Sequence, residues 1–318
     1  MTYHPRISIV IPTYNGAQTL FDTLSSVQAQ TFSDWQAIII VDGSTDDTVS
    51  NFQKSPFSID PRFRLVIQKN MGVSHARNVG LDLCNSEYVA FLDHDDIWHP
   101  TKLETQYQFL ENNYLYAGCT CWYLISQQGP QGYVHRRLVA YRSMDRAMNK
   151  WLSFLGNGLL MPSTLMIRRD MLKTRFSQKL NAIGDLQFMV NLLQSNQIGI
   201  VHSPLALYIQ HENQMHMSGN SISDYEDFYK NLDEGVLQRF NLKRNKLNAR
   251  VRAHLNLIQV VNLSSYKTSV RTRIEMVFSS NIWNQHVLAL VVNIFMKRMS
   301  GYLVRIKYNG AIKALWNS

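Results

Sequence analysis

Residues 38–48 read Ile-Ile-Ile-Val-Asp-Gly-Ser-Thr-Asp-Asp-Thr, and their order decides the fold class. Four consecutive β-branched residues, Ile38 to Val41, suit a strand buried on both faces. Asp42-Gly43-Ser44 stops that strand, and Ser44, Thr45, Asp46 and Asp47 are side chains that open a helix by capping it. The same succession recurs on either side. Ile7 to Ile11 is a short apolar run ended by Pro12, followed by an Asn15-Gly16 turn and by Leu20, Leu24 and Val27 at helical spacing. Leu65 to Ile67 reads as a third strand, Ser74 to Cys84 as a helix with Val79 and Leu83 inward, and Tyr88 to Leu92 as a fourth strand. Pro100 is placed for the first turn of the next helix.

Strands that alternate with helices imply a parallel sheet with helices on both faces. Ligands of such folds gather beyond the carboxyl ends of the strands. Three polar groups follow strands in that way: Thr13-Tyr14-Asn15, Asp42, and Asp93-His94-Asp95-Asp96.

The middle of the chain changes texture. Cys119 to Ile125 and Tyr133 to Val139 suit a hairpin around residues 127–132, and Leu165 to Ile167 and Ile198 to Val201 suit short strands. Leu186 to Leu193 is apolar at helical spacing and is opened by Gly184-Asp185. Strand signals stop near residue 220, and the remainder reads as helices. In Ile282 to Met296, Val287, Val291, Ile294 and Phe295 share one helical face, with Lys297, Arg298, Arg305 and Lys307 following. That pattern suits an interfacial amphipathic helix, or equally a helix packed on its own domain or on a partner subunit. It falls short of the ~20 mostly apolar residues that a spanning helix needs.

The chain has 318 residues, 45% hydrophobic and 17% charged, enough for one large α/β domain, alone or with a helical appendage. Its formal charge of +9 is unevenly placed. From Tyr225 onward stand 15 Lys/Arg against 5 Asp/Glu, and before it 17 against 18. A basic tail points to an anionic partner, with a membrane surface ahead of nucleic acid, for which no recognisable module is present, or equally to a set of solvated helical faces. Cys84, Cys119 and Cys121 form no CxxC pair, so small buried apolar roles in a reducing cytosol are expected. The first residues run directly into a core strand without a long apolar region, which argues against secretion.

Three carboxylates within Asp93-His94-Asp95-Asp96 repel one another and ask for a counter-charge. A hard divalent cation would supply it, using one or two carboxylates and substrate phosphate oxygens. A solvated acidic turn in which Asp95 or Asp96 caps the next helix explains the cluster equally well. His94 reads as a spectator turned away from its neighbours.

Residues 9–20 (IVIPTYNGAQTL), 26–35 (SVQAQTFSDW), 38–48 (IIIVDGSTDDT), 70–81 (NMGVSHARNVGL) and 87–104 (EYVAFLDHDDIWHPTKLE) together resemble the family-2 glycosyltransferases of GT-A fold. The likeness covers roughly the first 105 residues and loosens beyond them. It implies a mixed, mainly parallel sheet flanked by helices and an inverting transfer from a nucleoside-diphosphate sugar, a UDP-sugar above all, with bound Mn²⁺ or Mg²⁺. Residues 1–220 would form the GT-A domain, with 1–105 holding nucleotide and metal and 106–220 the acceptor; 221–318 would be a basic helical region.

Carried over by position, Pro12, Thr13 and Tyr14 would line the nucleotide pocket and Asp42 would accept the uracil N3–H. Asp93 and Asp95 would form the metal-binding pair, Asp95 the direct ligand. Arg77 would neutralise phosphate or, as the preferred reading, form a structural salt bridge to one of those acids. Asp185 would be the general base, a role resting on the family context against that of a first-turn helix acid. His211 would reach the diphosphate or metal, the alternative being a surface histidine. Two departures stand out: Val41 where the family commonly has Asp, and Gly184 where it usually has Glu. They motivate a second reading, a non-catalytic nucleotide- or glycan-binding relative. A nucleotidyltransferase is disfavoured because the loop after the first strand lacks a basic residue. The expected partners are a nucleotide sugar, a glycan or lipid-linked saccharide acceptor, an anionic membrane surface on the cytoplasmic side, and a second copy of the chain.

Overall fold

The computed structural model describes residues 4–129, 132–154, 161–180, 183–210 and 222–244. His211 and the amphipathic stretch Ile282 to Met296 lie outside these residues.

The apolar runs become the centre of the sheet. β1 (Ile7–Thr13) pairs in parallel with β2 (Trp35–Asp42) and with β4 (Tyr88–Phe91), and β2 pairs in parallel with β3 (Phe63–Gln68). Every residue of β1 and β4 is buried, and β2 from Ala37 onward as well, which is why these strands show unbroken apolar runs rather than alternation. β3 is an edge strand, and its Arg64 and Ile67 are exposed. Helices α1 (Leu20–Gln28), α2 (Thr48–Lys54) and α3 (Val73–Leu83) follow β1, β2 and β3 in the expected alternation, and α3 packs across β1 and β2. The carboxyl ends of β1, β2 and β4 therefore open on one edge.

Past β4 the sheet turns antiparallel. The two-residue β5 (Ile97–Trp98) precedes α4 (Lys102–Glu111), then come β6 (Gly118–Gly129) and β7 (Gly132–Val139) as a hairpin, α5 (Met144–Phe154), β8 (Met166–Arg168), α6 (Gly184–Ser195) and β9 (Ile198–Ile209). The strand order is β3-β2-β1-β4-β8-β6-β9-β5, with β7 paired to β6. β8 is antiparallel to both β4 and β6, β5 is antiparallel to β9, and β6 runs parallel to β9.

Two local expectations are corrected. Pro100 lies outside α4, whose N-cap position is Thr101. Its carbonyl instead accepts from the Thr31 amide at 2.9 Å. Asp47 takes the N-cap position of α2 without a side-chain cap. α6 does open on Gly184-Asp185, as expected.

α7 (Ile222–Lys230) and α8 (Glu234–Arg239) begin the expected helical segment. Phe228, Tyr229, Val236, Leu237 and Phe240 join the same core as the sheet, so that core runs on past residue 220. Cys84, Cys119 and Cys121 are free and buried. Burial pushes the Cys84 thiol up to about 12 and Cys121 to about 11, which keeps both protonated and inert. No helix among the described residues is long and apolar enough to cross a membrane.

Candidate active site

The loops after β1 and β2 are sewn together by short polar side chains. Asn15 adopts a positive φ of 49°. Its amide donates to Ser44 Oγ at 2.9 Å, and its own Oδ1 accepts from the Thr45 amide at 2.8 Å. Asp46 accepts from the amides of Ala17 and Thr48 and from the Thr48 hydroxyl. Desolvation alone would raise the Asp46 carboxyl, but these donors prevail and hold it below the ordinary range. The side chains expected to cap α2 thus join two loops instead.

Pro12 and Thr13 are buried at the end of β1, while Tyr14 is 46% exposed at the mouth. Asp42 is 3% exposed. Its Oδ1 accepts from Gln68 Nε2 at 2.7 Å and from the Met71 amide at 2.8 Å, and its Oδ2 accepts from the Gly72 amide at 2.8 Å. A carboxylate has about four acceptor directions, so one at most remains for a base. The next residue must be glycine: Gly43 has φ +67°, and a Cβ there would meet the Asn70 amide nitrogen at 2.6 Å. Val41, where the resemblance led one to look for a second acid, is fully buried in β2.

The acidic turn after β4 is held from three directions. Thr23 Oγ1, on α1, lies 2.9 Å from the carbonyls of both His94 and Asp96. Ser163 Oγ accepts from the Asp93 amide and donates to Asp96 Oδ2. Asp96 N–H closes the turn on Asp93 O at 3.0 Å. The His94 ring lies against Gly16, where an added Cβ would meet it at 2.8 Å. The three carboxylates differ sharply in setting. Asp95 is partly exposed. Asp96 is 1% exposed with Oδ1 lacking a hydrogen-bond partner, and burial pushes its carboxyl well above the usual range. Asp95 and Asp93 push it further, while the Ser163 hydroxyl and the Ile209 backbone N–H oppose.

Asp93 faces Arg77. The guanidinium donates from Nη2 to Asp93 Oδ1 at 2.7 Å and from Nη1 to Asp185 Oδ1 at 3.5 Å. Only 4% of the Arg77 side chain is exposed, against 26% for Asp93 and 40% for Asp185. Burial raises the Asp93 carboxyl; the Arg77 charge opposes this, and Asp95 and Asp185 add to it. Arg77 itself stays charged, because Asp93 and Asp185 outweigh its own desolvation. One buried cation thereby brings together the acidic turn and the first turn of α6.

Among the described residues no three His, Cys, Asp or Glu side chains are grouped to hold a metal ion by themselves. Cations of the Mg²⁺ type take one or two carboxylates and complete their shell with phosphate oxygens and water. The acidic turn fits that requirement: Asp95 is partly exposed, and Arg77 engages Asp93 through Oδ1 alone.

Sequence reasoning missed Asp96 as a distinct group, and it missed Ser163 and Thr23 altogether. Asp96 was visible as the last acid of the cluster; nothing in the local sequence marked the two hydroxyls.

A parallel half-sheet opening on an acidic turn, backed by antiparallel strands and flanked by helices, defines the GT-A class of glycosyltransferase folds. Residues 8–176 match the model of glycosyl transferase family 2, and the chain belongs to that family. TuaG of Bacillus subtilis, a putative teichuronic acid biosynthesis glycosyltransferase, is 37% identical over 128 residues, which are 40% of this chain and 50% of TuaG. WfgD of Escherichia coli, a UDP-Glc:alpha-D-GlcNAc-diphosphoundecaprenol beta-1,3-glucosyltransferase, is 30% identical over 198 residues, 62% of this chain and 73% of WfgD. An uncharacterized glycosyltransferase of Rickettsia felis matches over 20% of its own length, so the chain spans between a fifth and a half of several such relatives. Among solved structures, S. aureus TarS in complex with UDP-GlcNAc superposes with a TM-score of 0.57 at 18% identity, covering 86% of this chain and 78% of TarS. The mannosyltransferase PcManGT from Pyrobaculum calidifontis, in complex with GDP-Man and Mn²⁺, gives 0.56 at 14% identity, covering 100% and 89%. At such identities these two neighbours speak for the fold.

Proposed function

We propose that the protein transfers a sugar, with inversion, from a UDP-sugar to a hydroxyl of a lipid-linked or polymeric saccharide in surface polysaccharide assembly. The observation that carries this reading is the convergence of Asp93 and Asp185 on Arg77 at the carboxyl edge of the parallel strands. The UDP-sugar of WfgD, the UDP complexes of TarS and the teichuronic acid role of TuaG support the donor and the setting.

In this reading Pro12, Thr13 and Tyr14 wall the nucleotide, and Asp42 shapes the loop at the base while keeping one acceptor direction for it. Asp95 and Asp93 would hold Mn²⁺ or Mg²⁺, which supplies Lewis-acid stabilisation of the departing diphosphate. Arg77 keeps the acidic turn from repelling itself and holds Asp185 toward the same space. The acceptor oxygen forms a bond to the anomeric carbon as the bond from that carbon to the diphosphate oxygen breaks, and UDP leaves with the electron pair. The hydroxyl proton passes to the Asp185 carboxylate, 40% exposed and so open to an acceptor. The basic region after residue 221 would hold the enzyme against anionic lipid on the cytoplasmic face.

Calorimetry of UDP, GDP, CMP and dTDP, with and without Mn²⁺, tests the donor class. Metal-dependent binding of UDP that is lost in Asp95→Ala is the expected result. Asp185→Asn is expected to keep that binding while turnover falls by roughly 10²–10⁴-fold. Failure of the folded protein to bind any nucleotide would overturn the reading in favour of a non-catalytic relative.

A further inference from the structure

Gly184 stands where the family resemblance expects a glutamate, and the surrounding packing explains the exchange. A Cβ on Gly184 would lie 2.5 Å from Ser74 Oγ, closer than side chains pack. Ser74 is 4% exposed, and its Oγ is buried without a hydrogen-bond partner, so the start of α6 rests directly on the first turn of α3.

Two further residues of α3 reach the same place. Arg77, three positions on from Ser74 and thus on the same helical face, contacts Asp185. Asn78 clasps the backbone of Phe176, donating from Nδ2 to its carbonyl at 2.9 Å and accepting from its amide at 3.0 Å. The Phe176 ring stacks on Phe188 of α6 at 3.9 Å between centroids, with 2° between the planes. Its centroid also lies 5.1 Å from the Arg77 guanidinium carbon. Phe188 stands three residues beyond Asp185 on α6.

We infer that Ser74, Asn78, Phe176 and Gly184 form a seat that fixes the start of α6 and so aims the Asp185 carboxylate, Gly184 leaving room for the Ser74 hydroxyl. This rests on the reading of Asp185 as the base. The four are positioning residues: none is placed against substrate, and each acts through the direction of one carboxylate. The absent glutamate is then no loss of machinery. A larger residue at 184 meets the buried Ser74 hydroxyl first, and unless that hydroxyl turns aside α6 moves off α3 and opens the 3.5 Å contact between Arg77 and Asp185.

The test is a cycle of Gly184→Ala, Ser74→Ala and the double variant. With alanine at 74, the nearest atoms to a Cβ at 184 are Ser177 O at 3.7 Å and the residue 74 Cβ at 3.9 Å, both ordinary contacts. Gly184→Ala is expected to lower kcat by roughly 10- to 100-fold, with KM for UDP-glucose or UDP-N-acetylglucosamine and calorimetric UDP affinity held within about twofold. The double variant recovers most of that loss. Gly184→Glu, which restores the carboxylate that the resemblance expects, falls at least as far as Gly184→Ala.

The ¹³C resonance of the Asp185 carboxyl, assigned by its loss in Asp185→Asn, reads the seat without catalysis. It moves in Gly184→Ala and returns in the double variant. A Gly184→Ala protein with unchanged kcat and unchanged resonance, or a double variant as impaired as the single one, would overturn the inference. Should the wild type bind no nucleotide, the proposed function fails while the resonance still decides the seat.

Discussion

Arg77 and Lys102 are both cations enclosed by the fold, one under the acidic turn and one beside the antiparallel strands, and their surroundings differ completely. Arg77 has Asp93 and Asp185 within ion-pair distance. Lys102 is 0% exposed, and among the described residues it meets Gln106 Oε1 at 2.6 Å and the Trp98 ring, whose centroid is 3.9 Å from Nζ. Among the described residues no carboxylate pairs with it. The consequence is opposite in sign: the carboxylates hold Arg77 charged, while burial brings Lys102 down to about 8. A buried cation with two partly exposed carboxylates is a means of presenting acids to a substrate. A buried cation without them is a cost carried by the fold.

The sharpest way to break the contrast is Arg77→Met. It leaves Asp93 charged and desolvated without its partner, and breaking such a pair costs about 3–5 kcal/mol, to be read from urea unfolding. A loss below about 1 kcal/mol would mean that the pair behaves as a surface contact and that the acidic turn stands without it.

Lys102→Met should act in the other direction. The folded pKa lies below the ordinary 10.5, so the unfolded chain binds this proton more tightly than the native protein. The handicap is therefore complete below pH 8, shrinks as pH rises from 8 to 10.5, and is gone above. At pH 7 the substitution is expected to stabilise by roughly 1–3 kcal/mol, less whatever the cation–π contact returns. Paired unfolding curves at pH 7 and 10.5 check this. A gain independent of pH would refute the electrostatic cause.

The smallest expected effect concerns Asp42, a buried carboxylate answered by neutral donors alone. Asp42→Asn keeps the shape, but its amide can no longer accept from all three donors. A thermal-melt comparison should show a loss of about 1–2 kcal/mol. An unchanged melting temperature would mean that the loop carrying Met71 and Gly72 is held by other contacts.

How far the sequence foretold this depended on whether the physics was local. β1, β2 and β4 announced themselves because strands buried on both faces must be apolar throughout. The length of β9 was hidden. Its Ser203-Pro204 reads as a break, since proline donates no ladder hydrogen bond. Here it falls where the register against β6 shifts, between Cys121 and Tyr123, and the strand runs on to Ile209. β5, only Ile97 and Trp98, exists because β9 passes beside it. In the site, the acidic cluster was plain as a run of like charges. The structural salt bridge of Arg77 to an acid was anticipated, but its reach to Asp185, 108 positions away, had no local signature. Ser163, 67 positions from Asp96, had none either.

Thr23 carries a consequence for anyone mapping tolerance to mutation along this chain. Its hydroxyl has one proton and lies 2.9 Å from two carbonyls of the acidic turn, on a helix more than 70 positions upstream. The grip of α1 on that turn is therefore a single shared proton, released by valine and retained by serine. A screen confined to the turn would score its residues one at a time and never touch its latch. The phenotype of a broken acidic motif would then surface at residue 23, on a helix outside the motif itself.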